Sequence, residues 1–67
     1  MEDVDRLRIV LKQLIENNEY LTENYRKWAR VASIGGLDGV AKDIDEAGQL
    51  IQIATIKLKG ALNSMES

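Results

Sequence analysis

Residues 31–43 read VASIGGLDGVAKD. Three glycines, Gly35, Gly36 and Gly39, fall within five residues, between two long amphipathic stretches. The fold depends on whether this segment turns the chain back, hinges one long rod, or cradles a phosphate. A phosphate loop needs GxxxxGK[ST] after a β-strand. "GGLDG" has neither, and Asp38 would repel the anion. A continuous rod would carry two adjacent glycines in its middle, at about 1 kcal/mol each relative to alanine. It would also need an apolar step of three or four, whereas Ala32 to Leu37 is a step of five. A turn fits both facts, because glycine suits the left-handed residue that ends a helix and short loops join antiparallel helices.

On either side the apolar residues alternate at three and four, the spacing of one helical face. Before the turn they are Val4, Leu7, Leu11, Leu14, Leu21, Tyr25, Trp28 and Ala32, with Asn18 the single polar interruption. After it come Leu37, Val40, Ile44, Ala47, Ile51, Ala54, Leu58, Ala61 and Met65. The pattern predicts an all-α antiparallel hairpin, helices over about 3–34 and 38–65 with the turn at 35–37, in a single domain of residues 1–67. The first helix would be about 48 Å long at 1.5 Å per residue. Asp3 and Asp38 are the expected N-caps. "IQIATIKL" has some strand character, but the seven-residue stripe continues through it and the chain offers no second strand. Reversal at Gly35-Gly36 pairs residues whose numbers sum to about 72: Leu11 with Ala61, Leu14 with Leu58, Tyr25 with Ala47, Trp28 with Ile44. In several layers, Leu11 with Ala61 and Tyr25 with Ala47 among them, a large side chain faces a small one, as interdigitating helices require. Gly48 and Gly60 read as blemishes in the second helix.

Composition narrows the class of molecule. A chain of 67 residues is one small domain, which buries only about 60% of its unfolded surface. Such domains add disulfides, a metal or a partner. Cysteine and histidine are both absent, leaving association as the expected staple and no cofactor or metal as the expected state. The net charge of −2, from 9 basic and 11 acidic residues, is not that of a nucleic-acid-binding domain. No apolar run approaches the roughly 20 residues that span a bilayer. The acidic start MEDVDRLR lacks the order of a signal peptide. These features predict a cytoplasmic chain, complete from Met1, with no membrane partner.

One seam does not use all the apolar residues. Ile9, Val10, Ile15, Val31, Ile34, Leu50, Ile53, Ile56 and Leu62 fall beside or away from the two stripes. A cluster of such residues signals a buried interface. The expectation is a homodimer forming a four-helix bundle, or contact with another protein, through Ile9, Val10, Ile15, Leu50, Ile53 and Ile56. Asn18 is the candidate for setting register and oligomeric state, as a polar seam residue does in coiled coils.

"YRKWAR" places Arg26, Lys27 and Arg30 around Trp28. Cations around an aromatic suggest nucleic-acid contact, and this cluster carries the alternative function, a nucleic-acid-binding hairpin dimer. The competing account has Trp28 in the seam and the three cations facing Asp43, Asp45 and Glu46. Architecture alone resembles that of helical-hairpin dimers that bind RNA and regulate plasmid copy number, although no motif carries the likeness. Catalysis is not expected. Glu16, Glu19 and Glu23 share a face but lack the histidines of a di-metal bundle site. "DIDE" lacks the glycine and spacing of a calcium loop. Ser33, Ser64 and Ser67 have no evident base. The function expected from sequence is therefore a non-enzymatic, self-associating protein-interaction module.

Overall fold

The computed structural model describes Glu2–Glu66; Met1 and Ser67 lie outside the described residues. Helix α1 spans Glu2–Ile34 and helix α2 spans Asp38–Glu66, packed against each other as a hairpin. The turn lies where the glycines place it. Gly36 has φ 78°, the left-handed region that costs glycine nothing and other residues strain. Its N–H donates to the Ser33 carbonyl (3.0 Å), and that of Leu37 donates to the Ala32 carbonyl (2.9 Å). These two bonds make a Schellman motif, which satisfies carbonyls that the helix end would otherwise leave unpaired. The Leu37 carbonyl then accepts the first bond of α2, from the Ala41 N–H at 2.9 Å.

That last bond corrects the expected cap. Leu37 occupies the capping position and Asp38 is the first helical residue, one step inside. Asp3 is likewise inside α1, which begins at Glu2. Both keep a favourable place, since carboxylates in the first turn interact well with the helix dipole.

The seam also differs from the one expected. Buried and half-buried residues on α1 are Arg8, Leu11, Ile15, Asn18, Thr22, Asn24, Tyr25, Ala29 and Ala32. On α2 they are Ala41, Ile44, Ala47, Gly48, Ile51, Thr55, Leu58, Leu62 and Met65. Apart from half-buried Asn24 and Ala47, which lie beside the stripe, the alternation of three and four is as read from the sequence, and so are half of the positions. The other half are shifted by one residue. Ile15, Thr22 and Ala29 take the places expected for Leu14, Leu21 and Trp28, while Gly48, Thr55 and Leu62 take those of Ala47, Ala54 and Ala61. Both helices are thus rotated by about half the 100° angle between successive residues. Tyr25 lies against Gly48, and continuing that antiparallel register sets Leu11 level with Leu62, Ile15 with Leu58 and Asn18 with Thr55.

Small residues account for the rotation. A Cβ at Gly48 would lie 3.1 Å from that of Tyr25, so glycine there allows the backbones to approach, and it is no blemish. Ala29, Ala32 and Ala41 act in the same sense near the turn. Thr22 and Thr55 are buried without polar cost, because each hydroxyl donates to its own helix's carbonyl four residues back (Asn18 and Ile51, 2.8 Å each).

Candidate interaction surface

The rotated seam gives the hairpin two unlike flanks. One is polar. Glu19 and Lys59 pair across the helices at 3.2 Å, and Arg26 pairs with Glu23 at 3.5 Å. With Gln52, Thr55 and Ile56 they line a shallow hollow of about 240 Å³. Both pairs are more than half exposed, so each contributes about 0–1 kcal/mol.

The other flank is apolar. Leu7, Leu14, Leu21 and Trp28 recur every seven residues along α1, and all four are exposed, from 36% for Leu21 to 54% for Trp28. Val40, Ala47, Ala54 and Ala61 occupy the matching positions of α2, and all but half-buried Ala47 are exposed. Near the turn a hollow of about 410 Å³ opens between Tyr25, Trp28, Ile44, Ala47 and Asp43. Lys27 lies over the Trp28 ring, its Nζ 5.3 Å from the centroid, which is a cation–π contact.

The residues expected to form an interface do not share one surface. Ile15 is buried in the seam at 8% exposure and cannot contact a partner from the hairpin's outside. Val10 and Leu50 are exposed and border the apolar flank, and Ile53 lies on the back of α2. Ile9 and Ile56 are exposed on the polar side, where Ile56 lines the hollow. The four residues that build the apolar flank, Leu7, Leu14, Leu21 and Trp28, are ones whose spacing predicts the seam, and their exposure places them outside it. Asn18 is half-buried, and its backbone carbonyl accepts the Thr22 hydroxyl.

The charged clusters near the turn also sit differently from expectation. Among the described residues, no ion pair joins Arg26, Lys27 or Arg30 to Asp43, Asp45 or Glu46. Arg26 turns to Glu23 on its own helix instead.

The imbalance in burial is large. Among the described residues Leu11, Ile15 and Ala32 are the buried hydrophobic ones, each still 8% exposed, against fifteen large apolar side chains left exposed. The hairpin measures 52 × 14 × 13 Å, with a radius of gyration of 15.4 Å, where a compact chain of this length has about 11 Å. It exposes 5135 Å², about 900 Å² more than a compact monomer of its mass.

Among the described residues no group of three or more acidic side chains is placed to hold a metal ion, and no helix is long and apolar enough to cross a membrane. No family model matches the chain, and no curated protein or solved structure matches it.

Proposed function

We propose that this chain is a non-enzymatic helical interaction module that acts by self-association, its hairpins combining into a four-helix bundle. One observation carries the reading: among the described residues three apolar ones are buried while fifteen large ones stay exposed, with an apolar flank beside a polar one. A contiguous apolar face on a small domain marks an association surface, and a core this thin needs added burial. Light scattering over a dilution series, with circular dichroism on the same samples, tests it. The expected result is a mass of two chains at high concentration, with helicity lost as the complex dissociates. A fully helical monomer at every concentration would overturn self-association and leave the flank for a different protein.

Nucleic-acid binding through Arg26, Lys27 and Arg30 is the second reading, and it has weaker support. Arg26 is already paired, and Asp43, Asp45 and Glu46 stand level with the cluster. Affinity for nucleic acid rests on cations free to replace counterions. A retarded band at low salt that vanishes steeply as salt rises would favour it.

A further inference from the structure

We propose that the apolar flank closes on the same flank of a second copy with both turns at the same end, so that α1 of each hairpin packs on α2 of the other. This rests on the self-association reading above and adds the face and the orientation to it. Three observations carry it.

The first is area. A standard interface takes about 800 Å² from each partner. The excess of about 900 Å² that the hairpin exposes over a compact chain is of that size.

The second is the distribution of side-chain size. The flank has a large half on α1 (Leu14, Leu21, Trp28) and a small half on α2 (Ala47, Ala54). Two copies can meet face to face about a twofold axis in two ways. With the turns together, α1 lies over the partner's α2, and large and small alternate around every layer of the bundle. With the turns at opposite ends, α1 lies over α1, which stacks large on large and small on small. Alternation is what fills a bundle interior evenly.

The third is charge. Lys27 is held over Trp28 at the edge of the flank, and Asp43 borders the same end of it on α2, neither in an ion pair among the described residues. With the turns together, Lys27 of each copy comes within about one helical turn of the level of Asp43 of the other. With the turns apart and the hairpins fully overlapped, Arg6 and Arg8 would stand level with Lys27 and Arg30, although each is paired to its own helix through Glu2 or Asp5. Like charges across a contact oppose association, and opposite charges fix its register.

Two measurements test orientation separately from association. The chain has no cysteine, so Ser33→Cys gives a unique site near the turn for a spin label. Helices in contact lie 8–10 Å apart, so same-end packing puts the two labels within about 30 Å of each other. Opposite-end packing separates them by most of the 52 Å length. The second measurement is charge exchange, read by the dissociation constant. Lys27→Asp and Asp43→Lys each place two like-charged contacts in a same-end homodimer, and each weakens it about tenfold; mixing the two variants restores wild-type affinity in a heterodimer. A dimer with distant labels, or a Lys27→Asp variant that associates as well as wild type, overturns the orientation but not self-association. A monomeric wild type overturns both.

Discussion

The two sides of this seam carry the same number of positions and behave in opposite ways. On the polar flank Glu19 reaches Lys59 across the helices, and the hollow beneath is lined mainly by groups that water or a neighbour can satisfy. On the apolar flank Leu14, Leu21 and Trp28 face small residues that cannot cover them. The seam itself holds two threonines and a glycine. Close approach decided which residues lie between the helices, not the sum of apolarity. The large residues excluded from the seam became the surface through which the molecule can act.

Adjacent residues sharpen this contrast most. Ile15 is buried in the seam, whereas Leu14, its neighbour, is 42% exposed on the apolar flank. Ile15→Ala is expected to cost about 2–4 kcal/mol, the range for emptying a buried aliphatic site, and a domain this small has little more to lose. Leu14→Ala is expected to cost well under half as much in dilute solution. Its loss should grow with chain concentration, because the side chain is covered only on association. Thermal melts of both variants at two concentrations check this. Equal losses at the lower concentration would mean that Leu14 belongs to the seam and that the two flanks are wrongly drawn.

The two interior glycines of α2 come next. Gly48 lies under Tyr25, while a Cβ at Gly60 would meet nothing within 4 Å. Gly48→Leu should part the helices and cost about 1–3 kcal/mol, the usual penalty for overpacking. Gly60→Ala should instead stabilise by up to about 1 kcal/mol through helix propensity alone. Gly48→Ala separates the two effects, because its methyl group would meet Tyr25 at 3.1 Å. If Gly48→Ala stabilises as much as Gly60→Ala in chemical denaturation, Tyr25 yields freely and close approach does not set the seam.

The same pair explains how much could be read in advance. The hairpin, its turn at Gly35-Gly36 and both helix extents follow from periodicity and left-handed glycine, which are local properties. The rotation of each helix about its axis is not local. Periodicity defines a stripe about as wide as two adjacent positions, and Leu14 and Ile15 satisfy it equally well. Choosing between them needs the partner's surface: Gly48 opposite Tyr25, and threonines able to bond their own backbone. The clues were present as Thr22, Ala29, Gly48 and Thr55 at seven-residue intervals, but an apolarity count sets such residues aside. The same ambiguity carries over to the outer surface. An apolarity count places Leu7, Leu14, Leu21 and Trp28 in the core and leaves Ile9, Val10, Ile15, Leu50, Ile53 and Ile56 for an interface, residues that do not share a face.

The smallest expected effect tests whether the polar flank is truly open. The carboxylate of Glu19 and the amine of Lys59 are 3.2 Å apart, with side chains 55% and 54% exposed. Water competes for both, so a double-mutant cycle with Glu19→Gln and Lys59→Gln should give a coupling of about 0.2–1 kcal/mol at low salt. At 1 M salt the screening length falls to about 3 Å, and the coupling should approach zero. A coupling that stayed well above 1 kcal/mol at 1 M salt would mean that the pair is shielded from solvent. Within the hairpin nothing shields it, so the shield would be a second chain. The polar flank, with Ile56 at its edge, would then be an interface too, and association would use both sides of the seam.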